Sequence, residues 1–212
     1  FQGVPFLENF EPPVLMPGNL GGQNGWEVWP AGSVLVQTGA VWQGVQAMSL
    51  APLTGQVATA RHLFASPAQS TIWVDFHMKA AAATPPTGQL NHSAMFFLNG
   101  DYRLVVYDGT VPGWVTLTNH PAVEPGSWLN LSVRLDYAAQ KWLLCLNGAN
   151  VVENLGFASP AGAFNAFGVK GERGYLDELS IGAGIPPGVD LDADQLPDAW
   201  EMLHFGSLDQ AP

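Results

Sequence analysis

The stretch that decides the fold runs from Ser127 to Gly148 and reads SWLNLSVRLDYAAQKWLLCLNG. In its first half, apolar and polar side chains alternate. The apolar set is Leu129, Leu131, Val133 and Leu135, and the polar set is Asn130, Ser132, Arg134 and Asp136. A period of two predicts a β-strand with one apolar face and one polar face.

The second half of the stretch predicts a strand that is apolar on both faces. Tyr137 to Gln140 forms the turn, Trp142 to Leu146 is apolar throughout, and Asn147-Gly148 is a turn dipeptide. A strand of this kind belongs in the middle of a sheet and is covered above and below. The stretch therefore predicts two stacked antiparallel sheets.

Two motifs carry a resemblance to a known family. The string W-x-x-L-x-V-x-L-D-Y, a short gap, then W-x-L-x-L-N-G resembles the hairpin of laminin-G-like, concanavalin A-like domains. Gly174 to Ile181, GYLDELSI, resembles the strand that commonly closes them. The resemblance covers residues 5–184 and implies an all-β, two-sheet antiparallel jelly-roll sandwich. Lectins, glycan-binding modules, adhesion domains, hydrolases and lyases all have this fold, so the fold alone does not determine the function.

Composition excludes several classes of partner. The chain has 212 residues, a formal net charge of −11 and 7 Lys and Arg. Phosphate binding needs clustered cations, so nucleic acid is excluded as a partner. No apolar run approaches the ~18 residues of a membrane span, which predicts no membrane insertion. The single cysteine, Cys145, lies among leucines and predicts a buried, inert thiol.

The chain divides into four parts by composition. Residues 1–4 are assigned to a tag remnant or to leader-proximal residues, and 5–184 to the sandwich, with about fourteen short strands and no interior helix. Residues 185–189 form a linker, and 190–212 an acidic segment with six acidic residues and no Lys or Arg. We expect an exported bacterial protein, secreted or at the cell surface.

The acidic segment carries the most specific chemistry. Oxygen ligands fall at positions 1, 3, 5, 7, 9 and 12 of a twelve-residue loop, with a backbone carbonyl at position 7. They are Asp190, Asp192, Asp194, the Leu196 carbonyl, Asp198 and Glu201. The spacing predicts calcium as the cofactor, held in a short C-terminal loop followed by a helix. The alternative is a solvated acidic linker.

The same segment resembles the D-x-D-x-D-x-x-P-D-x-W-E segments of bacterial surface proteins, akin to dockerin and thrombospondin type 3 calcium repeats. It departs from EF-hand loops at position 6, where Gln195 replaces the glycine of the sharp turn. An apolar side is expected to dock on the sandwich. It comprises Leu196, Trp200, Leu203 and Phe205.

A second calcium site is implied by resemblance alone. The opening E-N-F-E resembles the start of bacterial carbohydrate-binding jelly rolls, which often hold a structural calcium between their first and last strands. The resemblance implies that Glu11, or Glu8, together with Asp177 of L-D-E-L would be the ligands of this calcium. Two carboxylates brought together repel each other unless a cation or a proton lies between them. The alternative is that each acid is solvent-facing or caps a turn.

No catalytic residues are predicted. The chain lacks the E-x-D-x-x-E or E-x-D-x-E string by which laminarinase-type enzymes place paired carboxylates. Asp177 and Glu178 are adjacent, so alternation predicts that they face opposite sides of their strand. His77, Arg103 and Tyr107 could serve a lyase if they converged, but nothing in the sequence requires it. We predict that the protein is not an enzyme.

Candidate ligand residues lie on the polar face of the strand Thr71 to Lys79. They are Trp73, Asp75 and His77, joined by Tyr107 and Trp114, with Trp42 as a further aromatic. Sugars bind where their C–H faces stack on a ring and their hydroxyls meet planar polar groups. The alternative for each tryptophan is core or edge packing.

The predicted function is a non-catalytic carbohydrate-binding or adhesion module, calcium-stabilised, of an exported bacterial surface protein. Its partner would be a glycan or a surface protein. The alternative is a structural subunit that self-associates into a surface layer or filament. A glycan hydrolase or lyase on the same fold is the third hypothesis.

Overall fold

The computed structural model describes residues 1–79, 81–86 and 91–208, and almost all its regular structure is β-strand. No helix in those ranges has the length and apolar character needed to cross a bilayer. The elements are β1 (Phe6–Glu8), β2 (Gly18–Asn19), β3 (Trp26–Trp29), β4 (Val34–Gln37), β5 (Ala47–Leu50), β6 (Ala58–Leu63), β7 (Thr71–Lys79), β8 (Phe96–Leu98), β9 (Leu104–Asp108), β10 (Gly113–Thr116), β11 (Trp128–Asp136), β12 (Lys141–Leu146), β13 (Ala149–Gly156), β14 (Ala166–Gly171), β15 (Gly174–Gly182) and α1 (Asp198–His204).

The strands form one large sheet and two small ones. The large sheet has nine strands in the order β13-β12-β11-β7-β15-β5-β4-β2, with β1 also paired to β15. The small sheets are β14-β6-β3 and β10-β9-β8. The pairings between these strands are antiparallel. The predicted all-β antiparallel jelly-roll sandwich is confirmed.

The decisive hairpin forms as predicted. β11 pairs with β12 from Leu131↔Leu146 to Asp136↔Lys141, and β11 also pairs with β7 along its whole length. Asn147 follows β12 with φ 51° and Gly148 with φ 87°. These left-handed conformations are the ones a tight turn requires and that Asn and Gly tolerate best. The hairpin therefore lies inside the large sheet, between β13 and β7.

The main core lies between the large sheet and the two small sheets. Phe76 of β7 packs against Phe96 of β8 at 6.5 Å and Phe167 of β14 at 5.5 Å between ring centroids. Trp142 of β12 meets Phe96 at 6.4 Å. The small sheets thus cover one face of the large sheet, which we call its inner face. By alternation, residues 73, 75, 77 and 79 of β7 belong to the outer face.

A second, smaller hydrophobic cluster lies on the outer face. It comprises Trp73, Leu143, Cys145 and Val189, with Ile185 and Leu191 packed against it. Residues 185–191 therefore run across the sheet, and we call them the strap. The strap, rather than another sheet, covers β12 from outside. The Cys145 thiol is buried as predicted, and burial raises its pKa to about 12.

Candidate functional site

The acidic loop curls around its own carboxylates. Asp190 accepts hydrogen bonds from the backbone N–H of Ala193 (2.8 Å) and of Gln195 (3.1 Å). Asp194 accepts one from Leu196, which is half-buried, at 2.8 Å. Gln195 has φ 80°, the left-handed conformation that glycine supplies in EF-hand loops. The loop thus makes the sharp turn without glycine.

The predicted ligands converge in the structure. Carboxylate oxygens of Asp190, Asp192 and Asp194 lie within 4.8 Å of one another, and so do those of Asp192, Asp198 and Glu201. Asp192 belongs to both groups and joins them into one cluster of five carboxylates. Asp198 and Glu201, in the first turn of α1, are both fully buried.

Several oxygens of this cluster have no hydrogen-bond partner in the described part of the chain. They are Oδ2 of Asp194, Oδ2 of Asp198 and both carboxylate oxygens of Glu201. Buried polar atoms in folded proteins are nearly always paired, because an unpaired one forfeits its hydration. The segment contains no Lys or Arg that could pair with them. A hard cation with oxygen ligands fits this donor set.

The electrostatics of the cluster point the same way. Burial raises the pKa of Asp198, and the charges of Asp192 and Asp190 add to this, while the hydrogen bond from the Leu191 N–H opposes it. The pKa of Glu201 is also raised, by burial first and then by the neighbouring aspartates. Both shifts report carboxylates that are short of positive charge.

The loop is attached to the large sheet through the strap. Asp190 N–H donates to the Gly148 carbonyl at 3.1 Å, and Asp198 N–H donates to the Val189 carbonyl at 2.8 Å. A Cβ on Gly148 would lie 2.2 Å from the Gly188 carbonyl oxygen, so the two backbones touch. The loop is therefore fixed to the turn between β12 and β13.

The prediction of which apolar residues dock is wrong for three of the four. Trp200, Leu203 and Phe205 are 43%, 78% and 51% exposed. They lie in or next to α1, which turns its buried carboxylates inward and these side chains outward. Fully buried Val189 makes the docking contact instead.

Glu11 and Asp177 hold two ends of one loop, residues 40–46, which we call the Trp42 loop. Asp177 Oδ2 accepts from the backbone N–H of Trp42 (3.0 Å) and Gln43 (3.1 Å). Glu11 Oε1 accepts hydrogen bonds from the backbone N–H groups of Val45 (2.7 Å) and Gln46 (2.9 Å). The two acids of the implied second calcium site thus serve the same loop.

Glu8, the other candidate for that site, belongs to a different network. Its Oε2 accepts from Asn24 Nδ2 at 2.7 Å and from Trp26 Nε1 at 3.4 Å, and its side chain is buried. Of the two glutamates, Glu11 is therefore the one that shares its contacts with Asp177.

Simple alternation does not separate Asp177 from Glu178. The β15 register shifts between Asp177 and Ser180, and Glu178 has φ 50°. Burial raises the pKa of Asp177 and Glu178, and the charge of Glu11 raises both further. Because a bulge interrupts the pleat here, alternation alone does not determine which side of β15 each of these two acids faces.

Aromatic side chains line the outer face beyond the strap. Trp42 is 48% exposed and stacks on His77 at 4.5 Å with an interplanar angle of 13°. Trp128 lies 6.3 Å from Trp42 and 6.5 Å from Tyr175 between ring centroids. Lys79 Nζ lies 5.8 Å from the Tyr175 ring centroid. We call Trp42, His77, Trp128 and Tyr175 the outer aromatic row.

Asp75 lies beside this row in a fixed polar network. Its Oδ1 accepts from Asn130 Nδ2 at 3.1 Å and from Ser132 Oγ at 2.5 Å. Ser132 is fully buried, so the polar face of β11 is covered at that residue. Burial lowers the pKa of His77, although Asp75 opposes the shift. The imidazole is therefore mainly neutral at pH 7.

The predicted ligand residues separate into three places. Trp73 is 4% exposed and covered by the strap, so its ring offers no face to a ligand. Tyr107 and Trp114 meet at 5.3 Å on β9 and β10, with Phe97 at 5.1 Å from Trp114. Their strands belong to the layer opposite the outer aromatic row. Asp75 and His77 alone of the five lie together with Trp42.

The lyase constellation does not assemble. His77 lies on the outer face of the large sheet, whereas Tyr107 lies on the small sheet across the core. The Arg103 guanidinium donates to the His120 carbonyl at 2.9 Å.

Comparisons with known proteins place the fold. No protein family and no curated protein matches the sequence. Among solved structures, a mutant alginate lyase, Aly36B, in complex with alginate tetrasaccharide is 11% identical, with a TM-score of 0.56 over 86% of this chain and 98% of that chain. The cellulose-induced protein Cip1 is 12% identical, with a TM-score of 0.53 over 84% and 97%.

A sialidase gives a TM-score of 0.56 at 9% identity over 75% of this chain, and the match spans 17% of the sialidase. Identities this low establish the fold alone. The chain has a jelly-roll β-sandwich fold, which it shares with these three proteins.

Proposed function

We propose that the protein is a non-catalytic, calcium-stabilised glycan-binding module, and that its ligand lies on the outer aromatic row. The single observation that carries this proposal is the half-exposed Trp42 ring stacked on His77 next to the Asp75 network. One face of the indole rests on the imidazole, and its side chain remains half open to solvent. A ring supported in this way is ready to stack on a sugar.

The polar groups beside the row supply orientation. Asp75 is held by two donors through one oxygen, and Asn130 brings a side-chain amide next to it. Ligand sites combine such apolar surfaces with a few fixed polar groups. A neutral His77 adds a nitrogen that can donate or accept. Stacking and hydrogen bonding are thus available within one short stretch of the face.

Calcium belongs to the same proposal. The six predicted ligands of the 190–201 loop include four buried oxygens that have no hydrogen-bond partner within residues 1–79, 81–86 and 91–208. When bound, the ion would offset the mutual repulsion of five carboxylates and order the loop. Wild type should take up calcium in calorimetric titration at millimolar concentration. Asp190→Ala and Glu201→Ala should bind much more weakly, and equal binding by both variants would contradict the assignment.

A second calcium ion at Glu11 and Asp177 is part of the proposal. Its support is that Glu11 and Asp177 bind the two ends of one loop, and that the charge of Glu11 raises the pKa of both Asp177 and Glu178. The titration stoichiometry distinguishes the cases. Two ions per chain, falling to one in Glu11→Gln, would agree with the second site, whereas one ion in both proteins would remove it.

A glycan array followed by titration tests the ligand face. Trp42→Ala should lose about 1–3 kcal/mol of binding free energy, by analogy with the range for nucleic-acid bases stacked on aromatic side chains. Trp29→Ala is the matched control, since Trp29 is 47% exposed against 48% for Trp42 and lies on β3 of a small sheet. Equal affinity of both variants and wild type would show that the ligand lies elsewhere. Trp114→Ala then tests the opposite layer.

Self-association is the second candidate function. Under both candidate functions, we propose that the protein is exported and acts at the cell surface. The exposed apolar side chains of Trp200, Leu203 and Phe205 favour self-association, because contiguous apolar surface marks contact sites. Light scattering across a concentration series tests it. Association that disappears in Leu203→Glu, together with silence on the array, would replace the glycan proposal.

A further inference from the structure

The strap and the outer aromatic row occupy the same face of the large sheet. Trp73, under the strap, and His77, under Trp42, lie four residues apart on β7, about 13 Å along the strand. Asp75 lies between them. One side of the Asp75 network is therefore bounded by the strap, and the other by the Trp42 loop.

A continuous series of hydrogen bonds connects the acidic loop to Asp75. Asp190 N–H donates to Gly148 O at 3.1 Å. The preceding residue, Asn147, exchanges two hydrogen bonds with Asn130: Asn130 N–H to Asn147 Oδ1 at 3.0 Å, and Asn147 N–H to Asn130 O at 2.9 Å. Asn130 Nδ2 then donates to Asp75 Oδ1 at 3.1 Å. Each step joins neighbouring groups.

Cys145 marks the boundary between the two regions. It pairs with Ser132, whose hydroxyl donates to Asp75, and the strap covers it from outside. The charges of Asp198 and of Asp75 both raise the pKa of the Cys145 thiol. The acidic loop and the ligand network are therefore close neighbours.

With the strap closed on the sheet, the five carboxylates of the loop lie together, with buried oxygens that have no partner among the described residues. Without a cation, their repulsion opposes closure. With a cation, closure is favoured, because the ion binds the assembled ligands and not the separated ones. Calcium and strap closure are thus linked.

We infer that calcium in the 190–201 loop raises glycan affinity on the outer aromatic row by holding the strap closed against the Asp75 network, without contacting the sugar. The inference rests on the proposed function and concerns its regulation. Linkage requires that glycan raises calcium affinity by the same factor. Couplings between two sites in one protein usually amount to about 5–150-fold.

The first arm of the test follows the strap alone. Cys145 is the only cysteine of the chain, so labelling by a small maleimide reports its exposure directly. Chelating calcium at constant pH should accelerate labelling of wild type about 5–150-fold. Glu201→Gln should label fast in both conditions. Equal wild-type rates with and without calcium, or failure to bind calcium, would overturn the inference.

The second arm measures glycan affinity by titration, using the best array ligand with calcium and with chelator. Chelation should weaken binding by the factor by which it lowers the closed population of the strap. If glycan binds equally in both conditions, the coupling is wrong and the proposed function stands. If calcium protects Cys145 but no glycan binds in either condition, the proposed function fails, and the coupling with it.

A third measurement separates strap closure from direct coordination of the sugar. Val189→Asp keeps every predicted calcium ligand but places a charge in the cluster over Trp73 and Cys145. The inference predicts weaker glycan binding at saturating calcium in this variant. Unchanged glycan affinity together with Cys145 labelling as fast as that of the unfolded chain would refute it, because a mainly open strap would then be compatible with full binding.

Discussion

Replacing Val189 by alanine should open the strap without unfolding the sandwich. Val189 is fully buried in the outer-face cluster, so the change removes two buried methyl groups. At about 0.8 kcal/mol for each group of this size, plus a cavity contribution, the cost is about 2 kcal/mol. Since about 1.4 kcal/mol corresponds to a factor of ten, the open population should rise about 30-fold.

Cys145 labelling in saturating calcium measures this effect. When opening and closing are fast relative to labelling, the labelling rate follows the open population, so we expect a rate about 30-fold above wild type. Val111→Ala is the matched control, because Val111 is 74% exposed and lies between β9 and β10. The same labelling rate in both variants would refute the docking of the strap through Val189.

Three further outcomes test the site. Gly44→Ala should displace the Trp42 loop and abolish glycan binding, because its Cβ would lie 2.1 Å from a Glu11 oxygen at a residue with φ 75°. Gly55→Ala is the control, since Gly55 has φ 77° and no atom would lie within 4 Å of its Cβ. Equal glycan binding by the two variants would contradict this prediction. The pKa of His77, measured by NMR, should lie below 6.5 and should rise in Trp42→Ala, which removes the covering ring. The folded state binds this proton less tightly than the unfolded state, so the contribution of His77 to stability decreases as pH falls below 6.5. Calcium affinity should fall as pH approaches carboxylate pKa values near ~4, since the ligands must be ionised, and a pH-independent affinity would argue against carboxylate ligands.

Local sequence pattern was sufficient for the sheet and for the acidic loop. The alternation in β11 and the apolar run of β12 depend on residues next to one another, and the structure has both strands at the predicted places. The spacing of carboxylates from Asp190 to Glu201 is likewise local, and the loop brings those side chains together. In both cases the residues that determine the structure lie close together in the sequence.

Contacts between distant segments could not be predicted in the same way. Alternation placed Trp73 on the correct face of β7, but only the fold shows that Val189, more than a hundred residues later, covers it. The position of Trp42 depends on a hydrogen bond from its backbone N–H to Asp177, which lies 135 residues later in the chain. Trp128 and Tyr175 were missed as parts of the row, although Trp128 shares the polar face of β11 with Asn130 and could have indicated it.

The touching backbones at Gly148 and Gly188 have a consequence for how the protein can be divided. A chain shortened to end at residue 184 would keep all fifteen strands but lose Val189 and Leu191. Trp73, Leu143 and Cys145 would then form a bare apolar surface on the large sheet, and such surfaces promote aggregation. A soluble recombinant fragment of this protein should therefore extend through His204, the last residue of α1, and not stop where the sandwich strands end.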